Sequence, residues 1–333
     1  MLVVHNGKPV FGQGYGVTDL HTLDPIDAET DFRLASFTKQ FTAMSIMLLV
    51  HDGKMHYDDP LTDFFPDFPA YGKSITVRNL LNHTSGLPDY EDLLTREYPH
   101  TPDDQIPQIQ DAGVLKLLEQ QTAGKFPAGS KWEYSNSGYV TLGLIVGKVS
   151  GKPFGQFVDD RIFAPLDMNH TLAYEKGKNE VPHRAYGHTK EKDGWHETDQ
   201  SSTSATLGDG GIYTSIDDLA KWDRALRDHT LLSEAEMQPA LTPVQPTAGP
   251  AKSSDGAVSY GFGWFLSPYK GHKRMWHDGE TMGFRTTIQR FPNDDLTVII
   301  LANRTDLNPQ DLALKVADLF LESRSTASHQ ARR

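Results

Sequence analysis

Ser36-Phe37-Thr38-Lys39 sets a hydroxyl and an amine three residues apart at the start of the most apolar helical stretch in the chain. A helix puts that spacing on one face, so the two side chains can meet a turn from the amino terminus, where unpaired N–H groups favour negative charge. The chemistry this allows is nucleophilic. A serine hydroxyl is too weakly acidic to attack a carbonyl unaided, and a desolvated, neutral amine beside it can take its proton. The same spacing recurs at Ser267-Pro268-Tyr269-Lys270. There Pro268 and the preceding aromatic run, Gly261 to Leu266, predict a strand and turn that would not align the pair. Context therefore selects Ser36.

The elements that must position this pair can be read along the chain. Leu2 to Val4 and Pro9 to Tyr15 flank His5-Asn6-Gly7-Lys8, a hairpin signal. Phe32-Arg33-Leu34 leads into a helix from about Ser36 to His51, stopped at Gly53 and apolar on nearly every face, which predicts burial all round. From 58 to 204 the pattern is helical and loop-rich, with segments at Val77 to His83, Val114 to Gln121, Tyr139 to Val149 and Phe154 to Ile162. Within it, Gly143 and Gly147 have the spacing of close helix packing. Ser215-Ile216-Asp217-Asp218 resembles a capping box. Strands are expected near Val258 to Leu266, Arg274 to His277, Phe284 to Phe291 and Leu296 to Ala302. Asn308-Pro309 then opens a last helix with Leu312, Val316, Leu319 and Phe320 on one stripe.

Composition narrows the function. A chain of 333 residues, 38% hydrophobic, can build a sizeable core in about two domains. The formal net charge of −12, without a lysine or arginine cluster, argues against a nucleic-acid partner. Apolar runs such as Ala43 to Val50, broken only by Ser45, fall short of the roughly 18 residues of a membrane span. The absence of cysteine excludes a disulfide framework, a thiol nucleophile and a thiolate metal site. Met1-Leu2-Val3-Val4 reads as a strand rather than an export signal. The compartment stays open: periplasmic or secreted if a signal was removed, cytoplasmic otherwise.

The first motif gains force beside Lys131-Trp132-Glu133-Tyr134-Ser135-Asn136-Ser137-Gly138-Tyr139, which holds the only Tyr-x-Asn of the chain. Here the chain resembles the serine β-lactamase and penicillin-binding-protein superfamily, in its class C β-lactamase, esterase and D-aminopeptidase branch. The resemblance runs through Phe32 to Phe41, His83-Thr84-Ser85-Gly86-Leu87, Pro127-Ala128-Gly129, Pro165-Leu166-Asp167-Met168 and Gly210-Gly211, and ends at His277-Asp278-Gly279. It implies an α/β (α+β) fold of the β-lactamase/transpeptidase type, an antiparallel sheet from both chain ends flanked by helices. Residues 1–57 and 205–322 would form that domain, 58–204 a helical insertion, and 323–333 a disordered tail.

The resemblance further implies that Ser36 attacks, that Lys39 or Tyr134 is the main base, and that Asn136 orients Lys39 or the substrate amide. Substrate would also meet His277, Gly279 and Glu280, with an oxyanion hole from the backbone N–H groups of Ser36 and Glu280. The implied mechanism needs no metal and no cofactor. Small esters, amides, peptides or β-lactams are the expected partners. His277 stands where the best-known β-lactamases carry a lysine, so an esterase or peptidase is favoured over a dedicated β-lactamase. The rival reading is a catalytically silent penicillin-binding-like scaffold. His83 is expected to be structural, and Tyr90 either lines the cleft or fills the core. His183, His188 and His196 lie near Glu191, Asp193 and Glu197, and a solvated polar surface is favoured there over a metal site.

Overall fold

A computed structural model describes residues 1–254 and 256–321. The expected disordered tail, 323–333, lies outside the described residues. Asn6 and Gly7 take φ of 51° and 72° and fold β1 (Leu2–His5) back on β2 (Lys8–Gly12), as Asn-Gly predicts. With β3 (Met275–Thr281), β4 (Phe284–Phe291) and β5 (Leu296–Ala302) they form one antiparallel sheet, ordered β3–β4–β5–β1–β2. The chain ends meet where β1 pairs with β5.

The helices that position the site are α1 (Lys39–His51), α2 (Asn136–Ser150), α3 (Ile216–Arg227) and α4 (Pro309–Ala317). Side chains alternate across the sheet. Val3, Val298 and Ile300 pack with Ala313 and Ala317 of α4, while Leu2, Val4, Ile299 and Leu301 join the main core with α1 and α3. In α1 every residue from Lys39 to Leu49 is buried. No helix of the described residues is long and apolar enough to cross a membrane.

Several expectations shift on folding. Ser36 lies in a 3₁₀ turn, Ala35–Thr38, that precedes α1 instead of opening it, because Ala35 enters in the left-handed region at φ 50°. Val258 to Leu266 is no strand: Gly263 at φ 74° reverses the chain, leaving single bridges from Phe265 to Tyr260 and to Trp276. The sheet-facing stripe of α4 is Pro309, Ala313 and Ala317, since small residues let the helix approach the strands. Val316 and Phe320 pack beside them, but Leu312 and Leu319 are exposed. Only half of the box at Ser215 forms. Its side chain accepts from the Asp218 N–H, whereas the Asp218 carboxylate accepts from Thr171 and Lys221. A helix at Tyr90–Glu97, capped by Asp89, occupies what read as a loop.

Gly143 and Gly147 do not share one role. A Cβ on Gly143 would sit 3.1 Å from Gly208 Cα, whereas one on Gly147 would meet nothing nearer than 3.6 Å. The close approach is thus between α2 and the 208–211 loop. Gly143→Ala is expected to destabilise the protein by about 1–3 kcal/mol through forced backbone movement. Gly147→Ala is expected to be neutral or to stabilise by up to about 1 kcal/mol through helix propensity. Urea denaturation of the two variants compares them directly, and equal shifts would show that the Gly143 contact is not tight.

Candidate active site

The 3₁₀ turn eclipses side chains three apart, and it brings Ser36 Oγ to 3.0 Å from Lys39 Nζ. Ser36 is half-buried, and Lys39 is wholly buried. Nζ also lies 2.8 Å from Asn136 Oδ1 and 2.9 Å from the Asp209 carbonyl oxygen. Those two oxygens can only accept, so they take two Nζ hydrogens. The remaining position of the nitrogen faces Ser36. In an ammonium it carries a third hydrogen, and in a neutral amine it is the lone pair, aimed at the hydroxyl proton.

Each partner is held in turn. Asn136 is the first residue of α2, behind the Ser135 N-cap, and its Nδ2 donates to Glu91 Oε1 at 3.0 Å. That carboxyl is pushed above its usual range by burial and by Asp89 and Asp209, although the residue lies at the exposed rim. The Asp209 carbonyl is fixed because the loop carrying it is tied to the Ser36 turn and to α1. Thr42 Oγ1 donates to Gly208 O at 2.6 Å, and Ile212 N–H donates to Thr38 Oγ1 at 3.2 Å. Tyr90 fills the core, and its hydroxyl donates to Asp209 Oδ2 at 3.0 Å.

Tyr134 completes the cluster from above. Lys39 Nζ is 5.0 Å from its ring centroid, and its hydroxyl has no hydrogen-bond partner among the described residues. His83, in the left-handed region at φ 61°, packs on Tyr134 with ring centroids 4.4 Å apart and accepts the Ser135 N–H at Nδ1. Burial first, and then Lys39, hold the His83 imidazole well below its ordinary value. It is structural, as expected.

His277 lies on β3, and Gly279 seats that strand against the nucleophile turn. A Cβ on Gly279 would fall 2.0 Å from Leu34 O, an oxygen that already accepts from Thr286 Oγ1 at 2.9 Å. Glu280 turns its exposed side chain to Arg285 at 2.7 Å. The His277 side chain is itself buried. Its Nδ1–H donates to Asp278 O at 2.7 Å, and Nε2 accepts from Tyr260 OH at 3.2 Å. Burial, then the charge of Lys39, push its pKa down to about 3.

The structure thus gathers Ser36, Lys39, Tyr134, Asn136 and the 277–280 strand. Sequence reasoning gave no role to Asp209, Glu91 or Tyr260. The glycines flanking Asp209 were the available signal for a tight backbone approach; Glu91 and Tyr260 had none. The histidines weighed as metal ligands do not converge. The His183 ring lies against His170, His188 is buried in a strand, and His196 sits with Asp193 and Glu191. That exposed trio and the set Asp19, His21 and Glu197 have ligand atoms within 4.8 Å of one another, and neither includes a residue of the Ser36 cluster.

A family model described as Beta-lactamase matches residues 1–321. The chain belongs to that family. It is 32% identical to penicillin-binding protein 4* of Bacillus subtilis (strain 168), over 96% of this chain and 71% of that protein. Its fold is similar to a penicillin binding protein from Bacillus halodurans, with TM-score 0.81, 27% identity, and 96% and 94% of the two chains covered. It is likewise similar to D-amino acid amidase from Ochrobactrum anthropi SV3 complexed with D-phenylalanine, with TM-score 0.80, 25% identity, and 96% and 93% covered. As a member of the Beta-lactamase family, the chain is a serine hydrolase of the β-lactamase-related type.

The buried neutral His277 gives the fold an acid limit. An unfolded histidine titrates near 6.5 and the folded one near 3, so between these values the unfolded chain binds the extra proton and stability falls as pH falls. His277→Gln is expected to flatten that slope by up to about 1 kcal/mol per pH unit. Thermal melts of both proteins from pH 7 to 4 measure it, and parallel curves would contradict the assignment.

Proposed function

We propose that Ser36 carries the acyl group of an ester or amide substrate, with Lys39 taking its proton and Tyr134 supplying the leaving group with one. The observation that carries this reading is the Lys39 nitrogen, whose two side contacts to acceptors leave its third position aimed at Ser36 Oγ. In the first step the Oγ–H proton passes to Nζ and Oγ bonds to the carbonyl carbon. The developing oxyanion is held by the backbone N–H groups of Ser36 and Glu280, whose approach is supported by the bare Cα of Gly279. Collapse breaks the bond to the leaving oxygen or nitrogen, which departs with the Tyr134 proton, and the proton held by Nζ passes to the Tyr134 oxygen so that both groups return to their starting state. Water then attacks the acyl-enzyme, releases the acid and restores the serine.

Asn136 positions Lys39, and His277 supports the strand as a neutral group, with both nitrogens occupied. A neutral His277 supplies no fixed charge for a substrate carboxylate. That favours esterase or D-peptidase and amidase activity over dedicated β-lactam hydrolysis, and the likeness to a D-amino acid amidase supports it. The cleft would lie between residues 1–57 with 205–322, which supply Ser36, Lys39 and β3, and residues 58–204, which supply Tyr134 and Asn136.

Brief exposure to a fluorophosphonate or an activated ester is expected to add one mass adduct, mapped to Ser36 by intact and peptide mass spectrometry. Absence of any adduct would count against the reading. Lys39→Ala and Tyr134→Phe are expected to lower ester turnover by factors on the order of 10² or more, and Ser36→Ala to abolish it. A scaffold would show no turnover to lose.

A further inference from the structure

Tyr134 also lines a cavity of about 630 Å³, a volume suited to a small organic group. We infer that this cavity, walled by Trp132, Tyr134, Val258, Ser259, Phe265 and Trp276, is a leaving-group subsite for an uncharged aromatic alcohol or amine. The inference rests on the proton-donor role proposed for Tyr134. The group that receives the Tyr134 proton must lie beside that hydroxyl, and Tyr134 is the residue that the Ser36 cluster shares with this cavity.

Its walls are aromatic and fixed in advance. Phe265 and Trp276 stack with centroids 4.4 Å apart and planes 17° from parallel. Trp276 Nε1 donates to Ser267 Oγ at 2.8 Å, and Arg274 Nη2 donates to the same oxygen at 2.8 Å. The Trp276 ring is therefore locked between Phe265, the Ser267 hydroxyl and the Arg274 guanidinium, which lies 5.0 Å from its centroid. A flat ring entering the cavity meets aromatic walls that are already held in place, and it pays little entropy to bind.

The lining of the cavity offers an anionic leaving group no buried cation. Its charged lining residues, Lys252 and Glu133, are exposed at the rim, and Glu133 pairs with Lys125. Arg274 is not among the lining residues, and its guanidinium donates to Ser267 and Gln289. His277, next to Trp276 on β3, is neutral and internally bonded. A terminal carboxylate, as on a D-alanine leaving group, would be desolvated here without a buried cation to receive it.

Benzyl and ethyl acetate share an acyl group and differ little in leaving-group acidity, so their comparison isolates the subsite. Wild-type kcat/KM is expected to favour benzyl acetate roughly tenfold to a hundredfold, from burial of the ring. Val258→Trp, or Ser259→Phe, fills the cavity and is expected to cut that ratio about tenfold, with circular dichroism melts reporting that each variant is folded. Equal turnover of the two esters by wild type, or a benzyl preference that survives both substitutions, would overturn the inference. Should wild type cleave neither ester, the esterase reading fails, and a binding experiment decides the subsite by itself. Saturation-transfer NMR of benzyl alcohol with Ser36→Ala needs no turnover: a signal lost on adding Val258→Trp upholds the subsite, and no signal with Ser36→Ala overturns it.

Discussion

A buried lysine amine is the constraint around which this structure is arranged. An amine taken out of water must find acceptors for its hydrogens or lose several kcal/mol. Lys39 finds them in Asn136 Oδ1 and the Asp209 carbonyl. These come from sequence positions far apart, so the fold must close around the amine before it is satisfied. Thr38 of the 3₁₀ turn and Thr42 of α1 contribute by tying down the loop that carries Asp209. The 3₁₀ entry serves the same end, since the left-handed Ala35, at a cost of about 1–2 kcal/mol, turns Ser36 onto the face of Lys39.

The surroundings keep other positive charge away from that amine. His83 and His277 are both buried and both held neutral, each in part by Lys39 itself. Their work is geometric. His83 props the Tyr134 ring and receives the N–H of the α2 cap, and His277 joins β3 to Tyr260. A neutral imidazole can accept at one nitrogen and donate at the other, which suits a dry junction between a strand and an aromatic cluster. Neither imidazole therefore adds positive charge beside Lys39.

Much of this was legible in the sequence for physical reasons. The hairpin followed from Asn6-Gly7, strand β4 from its aromatic and β-branched residues, β5 from its apolar run, and the all-round burial of α1 from its lack of a polar face. The Ser36, Lys39, Tyr134 and Asn136 set followed from motif order. Misreadings arose where tertiary packing overrode local pattern. The stripe of α4 was drawn through the largest residues, but the sheet took Ala313 and Ala317 because proximity mattered more than size. The aromatic run at 258–266 looked like a strand, yet Gly263 folds it into a turn that stacks Phe265 on Trp276.

The sequence by itself determined which groups could react and which elements carry them, because hydroxyl, amine and phenol chemistry and helical spacing are local properties. Only the tertiary structure decided how those groups are charged and aimed. The carbonyl of Asp209, the amide of Asn136 and the hydroxyl of Tyr260 reach the site across long stretches of chain, and desolvation depends on everything packed around a group. Charge state and hydrogen-bond direction are therefore properties of the closed fold, invisible in any single segment.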